Sequence, residues 1–149
     1  MLKSKLSFGS VIFFALTLLG SIEGWGADWK AYGGTDDGVF YYDTENINHP
    51  SKNIIQFWHK VIFSEKGIRE AVNTFGKDYE NLDHSISLRE INCSEKKIRS
   101  LAVTYFSHAG AVLDSAMVYE AEWRFIDSAA IIETLYQRLC YENRGGREE

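Results

Sequence analysis

The sequence predicts an α+β domain, in which an antiparallel β-sheet of about six strands carries a C-terminal helix packed on one face and tied by a disulfide. Short β-rich runs alternate with turn signals between about residue 29 and residue 126. An apolar stripe at helical spacing follows these runs. Strands linked by hairpins and followed by one helix are typical of antiparallel α+β domains.

The composition supports one folded domain and excludes several classes of protein. Of the 149 residues, 45% are apolar and 14% are aromatic, which is enough for a core and too many for a disordered chain. Two cysteines are too few for a four-cysteine zinc site. The net charge is −5 and no basic cluster is visible, so no nucleic-acid partner is expected.

The N-terminus follows the plan of a secretory signal peptide, which we assign to residues 1–26. Lys3 and Lys5 supply its positive start, and an apolar stretch follows. Gly24 and Gly26 are the small residues that a signal peptidase needs before a cut at Ala27. We therefore expect a domain over residues 27–143, a disordered tail over 144–149, and export to the periplasm, the cell surface or the medium.

An uncleaved membrane anchor is the alternative for this N-terminal segment. Its apolar stretch of about 15 positions is shorter than the roughly 20 residues that a membrane-spanning helix needs. Ser21 stands where a lipoprotein signal would have its cysteine, so lipid attachment is not expected. We predict no stable membrane insertion once the signal has been cleaved.

Export also decides how the two cysteines are interpreted. Outside the cytoplasm a lone cysteine pair is usually oxidised, which predicts a Cys93–Cys140 disulfide. Closing so long a loop stabilises the fold by about 4 kcal/mol in the loop-entropy model. The alternative is one reactive thiol and one buried thiol, although the sequence contains no Cys-x-x-Cys motif.

The first half of the domain contains three β-rich runs. They are residues 29–32, residues 39–42 and Ile54–Phe63. Between the first two, residues 33–38 form a turn cluster in which Asp37-Gly38 is a strong hairpin signal. Residues 44–53, around Pro50, predict a loop.

A helical segment interrupts the strands before the second half of the sheet. In residues 64–76 apolar side chains recur every three or four positions, which predicts a short amphipathic helix or an ordered excursion, and residues 77–83 predict a loop. The apolar phase shifts between Leu88 and Ile91, which predicts a bulge near Arg89. The predicted strands of this half are residues 84–93, 98–106 and 111–119, with a short last edge in 120–126.

The C-terminal segment has the pattern of one amphipathic helix. Asp127 or Ser128 is the predicted N-cap, because a short oxygen-bearing side chain accepts from the first free N–H groups. The stripe is broad and apolar and comprises Ile131, Ile132, Leu135, Tyr136, Leu139 and Cys140. We expect this stripe to pack on the sheet.

Four sequence runs, taken in order, carry a family resemblance. They are Val39-Phe40-Tyr41-Tyr42-Asp43, Ile91-Asn92-Cys93-Ser94-Glu95-Lys96-Lys97, Trp123-Arg124-Phe125-Ile126 and Leu135-Tyr136-Gln137-Arg138-Leu139-Cys140. In this order they resemble the surface-adhesin protein E family of bacterial exported proteins, over about residues 29–140. The resemblance implies an antiparallel sheet with a disulfide-bonded C-terminal helix, contacts with extracellular proteins, and dimers.

The sequence departs from the family pattern at three positions. Asn92 stands where the family often has Asp, and Asp127 stands where a Pro is common. Both departures leave the fold intact. Ser21 removes the lipid anchor of the namesake adhesin, which weakens the expectation that this protein is held at the outer surface.

The sequence offers no catalytic, metal or cofactor motif. The four histidines are isolated from one another, at positions His49, His59, His84 and His108. Four acidic residues near the first turn lack the spacing of an EF-hand calcium loop; they are Asp36, Asp37, Asp43 and Glu45. No Gly-x-Ser-x-Gly and no phosphate-binding glycine loop occurs. We therefore expect no enzyme, no metal and no cofactor.

The candidate interaction surface comes from the alternation of Ile54–Phe63. Phe57 and Val61 fall on one side of this strand, and Trp58 and Lys60 fall on the other. If the C-terminal helix covers Phe57, Trp58 is left on the opposite face, where a partner or a second copy of the chain would cover it. Tyr41 or Tyr42 is the expected neighbour of Trp58. The alternative is that residues 64–75 fold back and bury Trp58 within one chain.

The sequence thus predicts an exported binding domain without catalytic activity. By resemblance its partner is an extracellular or cell-envelope protein, and a homodimer is expected. The alternative is a periplasmic structural or small-ligand-binding protein that shares the fold.

Overall fold

The β-rich runs pair into one antiparallel sheet in the computed structural model, which describes residues 26–142. The predicted tail and all but one residue of the predicted signal lie outside the described residues. The strands are β1 (Trp29–Thr35), β2 (Gly38–Asp43), β3 (Asn48–Ser51), β4 (Ile54–Phe63), β5 (Leu82–Asn92), β6 (Lys97–Ser107), β7 (Val112–Met117) and β8 (Arg124–Phe125). Their order is β1-β2-β4-β5-β6-β7, with β3 beside β4 and β8 beside β6.

The described part of the chain also contains two helices, α1 (Glu65–Phe75) and α2 (Ile132–Cys140). A short 3₁₀ turn, Lys77–Tyr79, follows α1. Ser64 caps α1, since its hydroxyl accepts from the Gly67 N–H at 3.1 Å. A Cβ at Gly67 would overlap the Asp37 carbonyl oxygen, so only glycine lets α1 lie this close to the β1–β2 turn.

The C-terminal helix and its disulfide are confirmed, and the predicted cap is wrong. The Cys93 and Cys140 sulfurs are bonded, which ties the last residue of α2 to the end of β5. Asp127 accepts from the Ala129 N–H at 2.9 Å, so it caps a separate turn that precedes α2. The helix itself starts at Ile132 without a side-chain cap.

The core lies on the side of the sheet that carries both helices. Phe57 of β4, Ile91 of β5 and Leu135 of α2 are completely buried in its larger part. A smaller cluster forms around Ala71 of α1 and Leu82 of β5. Burial of these apolar groups is the main driving force of the fold.

The loop predicted over residues 44–53 is partly wrong, because it contains β3. This strand pairs with the first half of β4, through Asn48 opposite Gln56 and Ser51 opposite Ile54. β2 pairs with the second half of the same edge. Pro50 has no N–H to donate, and it is tolerated because β3 is short and lies at an edge.

The irregularity predicted near Arg89 is confirmed, and its extra residue lies in the neighbouring strand. Leu88 pairs with Ala102 and Arg89 pairs with Ser100, which leaves Leu101 of β6 as the unpaired residue. The pairing of β5 with β4 continues without a break. Because of the bulge, the alternation of side chains between the two faces shifts by one residue along β6, whereas it continues unbroken along β5.

Candidate interaction face

The sheet has one covered face and one open face. The register places Phe57, His59 and Val61 of β4 on the covered face, to which both helices contribute core residues. The alternate positions form the open face, which we define by its central residues: Val39 and Tyr41 of β2, Trp58, Lys60 and Ile62 of β4, Ile86 and Leu88 of β5, and Ala102 of β6.

Trp58 lies near the centre of the open face. Its register partner is Leu88, and 37% of Trp58 is exposed. With Trp29 and Ile86 it lines a shallow cavity of about 340 Å³. Val39 and Ile62, which pair with each other, extend the exposed apolar surface towards the β1–β2 turn.

Lys60 and Tyr41 border the apolar centre with polar groups. The two residues are register partners on β4 and β2. The Lys60 ammonium lies 5.4 Å from the centroid of the Trp29 ring, so its charge is held beside the cavity. An apolar centre with a polar border is the usual anatomy of a protein interface.

Tyr42 does not belong to this face, which corrects its inclusion among the candidate surface residues. It pairs with His59 on the covered face and is 5% exposed. The guanidinium of Arg138, on α2, lies 5.9 Å from its ring centroid. Successive residues of a strand point to opposite faces, so only Tyr41 can accompany Trp58.

Helix α1 leaves Trp58 open, so the alternative of an intrachain cover is wrong. Ala71 of α1 packs with Tyr79 and Leu82, in a cluster to which Phe63 and Tyr105 contribute. Phe63 is on the covered side of β4, because it lies two residues from Val61.

A polar network borders the open face at the end that lies away from the β1–β2 turn. Arg99 donates to the Glu90 carboxylate at 2.7 Å, and Gln56 donates to the other oxygen at 3.1 Å. The Trp123 ring stacks 4.3 Å from the Arg99 guanidinium. Glu90 is 4% exposed, so this pair is a fixed border and not a free charged surface.

The histidines and acidic residues singled out in the sequence lie in different places. His84 and His108 both bond to Asp83, His59 is buried, and His49 is exposed on β3. Within residues 26–142 no group of three or more His, Cys, Asp or Glu residues could hold a metal ion. In the same range, neither helix is long and apolar enough to cross a membrane.

The acidic residues of the first turn are divided between two sites. Asp36 and Asp37 lie near the Lys66 ammonium. The Asp43 carboxylate instead accepts from the backbone N–H groups of Asp28 and Glu45. These contacts are those of a local turn and a strand end.

Trp29 and Ile62 belong to this face but are not among the surface residues predicted from the sequence. Trp29 had only its aromatic character as a signal, because its position depends on the pairing of β1 with β2. Ile62 had a clearer signal, since it lies four residues from Trp58 and alternation places both on one side.

The chain is similar to known proteins in sequence and in fold. A family model described as surface-adhesin protein E matches residues 29–141. No curated protein sequence matches the chain. The structure resembles crystal form II of Haemophilus influenzae protein E, with a TM-score of 0.50 and 12% identity over 71% of this chain and 82% of that chain. A second structure of Haemophilus influenzae protein E gives a TM-score of 0.48 and 15% identity over 74% and 82%.

Proposed function

The chain belongs to the surface-adhesin protein E family, and from that premise we propose that it is exported and binds an extracellular or cell-envelope protein through its open face. Its role in this proposal is binding and not catalysis. The observation that carries it is the exposure of Trp58 on a sheet face that neither helix covers.

The chemistry of the open face favours a protein partner. Trp is the residue type most enriched at the energetic centres of interfaces, where it is surrounded by apolar contacts that exclude water. Here Val39, Ile62 and Ile86 can supply those contacts, and Lys60 and Tyr41 can supply a polar border. A partner would bury apolar area that residues 26–142 leave exposed on this face.

The Cys93–Cys140 disulfide supports export in this proposal. Stable disulfides belong to oxidising compartments such as the periplasm and the cell exterior. Cleavage before Ala27 would release a chain whose first strand starts at Trp29. The periplasm, the cell surface and the medium all fit this chemistry.

A periplasmic structural or small-ligand-binding role is the second candidate. The cavity of about 340 Å³ beside Trp58 favours it, since small-molecule pockets begin at about this size. Cell fractionation separates the two candidates. A pool that external protease digests on intact cells supports surface binding, and an exclusively periplasmic pool supports the second candidate.

The direct test is binding of the purified domain to an immobilised basement-membrane extract, as the probe for extracellular proteins. We expect Trp58→Asp to weaken binding at least tenfold, because an aspartate in the centre of the interface would be buried without a partner. Tyr119→Asp is the matched control, since Tyr119 is 91% exposed and lies outside the open face. Equal binding by wild type and both variants would reject the open face as the binding surface.

A further inference from the structure

Within residues 26–142, Arg89 is a cation on the covered face that forms no salt bridge with a carboxylate. Its neighbours across the sheet are Phe57 on β4 and Ser100 on β6, and neither is acidic. Its Nε is fully buried and has no hydrogen-bond partner. By contrast, Arg99 on the next strand is paired with Glu90.

An unpaired guanidinium in this position is costly for the fold. Burial lowers the pKa of Arg89 from its usual value, and no carboxylate of residues 26–142 opposes that effect. Arginine nevertheless stays charged in proteins, because its ordinary pKa is above about 12. Arg89 is half-buried, and a charge that is partly removed from water without a partner weakens the fold unless a ligand supplies the opposite charge.

Arg89 lines a cavity between the sheet and the start of α2. The cavity has a volume of about 390 Å³, and Tyr32 and His59 lie on its polar side with Arg89. Phe40, Ile131 and Ile132 give it apolar walls. A Cβ at Gly33 would come within 2.7 Å of the Ile131 side chain, so the glycine lets the segment before α2 pack closely on β1.

The other polar groups of the cavity are neutral donors and acceptors. The Tyr32 hydroxyl lies 2.7 Å from His59 Nε2, and the Ser87 hydroxyl lies 3.4 Å from His59 Nδ1. Burial lowers the pKa of His59 to about 3 and raises the pKa of Tyr32 to about 12. At neutral pH neither group carries a charge, so Arg89 is the one formal charge among the residues that line this cavity.

In one tautomer of His59, the hydrogen-bond chain leaves a donor for a ligand. When His59 carries its proton on Nε2, it donates to the Tyr32 oxygen, and the Tyr32 hydroxyl hydrogen is free to point elsewhere. A carboxylate between Tyr32 and Arg89 would then accept from both. A guanidinium beside a hydroxyl is suited to the planar oxygens of a carboxylate.

We propose that this cavity binds a small organic carboxylate, with its charge on Arg89 and the Tyr32 hydroxyl and its apolar body against Phe40, Ile131 and Ile132. A single cation and apolar walls fit a monoanion with a hydrocarbon part better than they fit phosphate. The site is on the opposite side of the sheet from Trp58, so this proposal does not depend on the proposed role of the open face.

The test compares acids with their uncharged amides. Comparing hexanoate with hexanamide tests whether the ligand is a free organic acid. Comparing acetyl-leucyl-leucine with its C-terminal amide tests whether the ligand is the C-terminus of a peptide. We expect at least one acid to raise the thermal midpoint at about 10 mM by mass action, while its amide does not. Arg89→Met should weaken that binding at least tenfold, whereas Arg69→Met, at an exposed arginine of α1, should leave it unchanged.

The proposal fails if each acid stabilises the protein no better than its amide, or if Arg89→Met binds as well as wild type. It also fails if inorganic phosphate stabilises the protein as much as the acids do. A measurement on wild type covers the case in which Arg89→Met does not fold. The Arg89 Nε–H resonance should shift on addition of the acid that binds and stay in place with its amide.

Discussion

At the scale of single residues, the covered face contains polar groups at positions where alternation alone predicts apolar ones. His59 lies between Phe57 and Val61 along β4 and is 5% exposed. It is kept neutral by burial and by the nearby positive charge of Arg89, which together lower its pKa to about 3. The stability of the fold is therefore linked to pH through His59.

Replacing His59 with Gln tests that link. Unfolded His59 titrates near 6.5 and folded His59 near 3, so between these values the unfolded state binds more protons. The free energy of unfolding of wild type should therefore fall as pH drops from about 6.5 to about 3, by up to about 4–5 kcal/mol in total. His59→Gln should lose this contribution in urea titrations across that range.

His49→Gln is the control for this prediction, because His49 is exposed on β3. Other groups, such as Asp83, contribute equally to wild type and both variants, so the comparison isolates His59. Parallel pH profiles for wild type and His59→Gln would contradict the prediction.

At the scale of elements, α2 is held by its apolar stripe and by its disulfide. Leu135 and Leu139 are buried at 0% and 3% exposure, and Cys140 closes the helix onto the end of β5. The Tyr136 hydroxyl adds a hydrogen bond of 3.1 Å to the Cys93 carbonyl oxygen. The helix is short and lacks a side-chain cap, so its stability comes from these tertiary contacts.

Leu135→Ala should destabilise the domain by about 2–5 kcal/mol, because it leaves a cavity between α2 and the sheet. Thr134→Ala is the matched control on the exposed side of the same helix, with an expected change within about 0.5 kcal/mol. Denaturant unfolding with the disulfide intact measures both variants. A change at Leu135 as small as that at Thr134 would show that α2 is not part of the cooperative core.

At the scale of the whole molecule, both helices of residues 26–142 pack on one side of the sheet, and the other side is partly exposed. The open face combines Trp58 and Ile62, each 37% exposed, with Val39, which is 41% exposed. Packing of two such sheets face to face would bury these residues symmetrically, as in a two-fold dimer. The same face would serve a heterologous partner, so oligomeric state and binding are linked.

We predict that the purified domain forms a homodimer at high micromolar concentration through this face. Sedimentation velocity should show a dimer for wild type and for Tyr119→Asp. Trp58→Asp should be a folded monomer, because the face is open within one chain and the charge is costly only in the interface. A monomeric wild type would reject the dimer, and unfolding of Trp58→Asp would show that Trp58 stabilises the single chain.

The sequence by itself determined the features that depend on residues close together in the chain. Alternation separated Phe57 from Trp58, helical spacing marked Leu135 and Leu139, and the cysteine pair indicated the disulfide. The resemblance of four short runs indicated the family. These signals are readable because side-chain direction repeats with the local period of each element.

Only the tertiary structure decided which distant elements meet. It placed α1 and α2 on the same face, paired β3 with β4, and assigned Tyr42 to the core and Tyr41 to the open face. It also placed Arg89 in one cavity with Tyr32 and His59, and no carboxylate is among the residues that line this cavity. Such contacts join residues far apart in sequence, so they are fixed by the packing of the whole core and not by the period of any one strand.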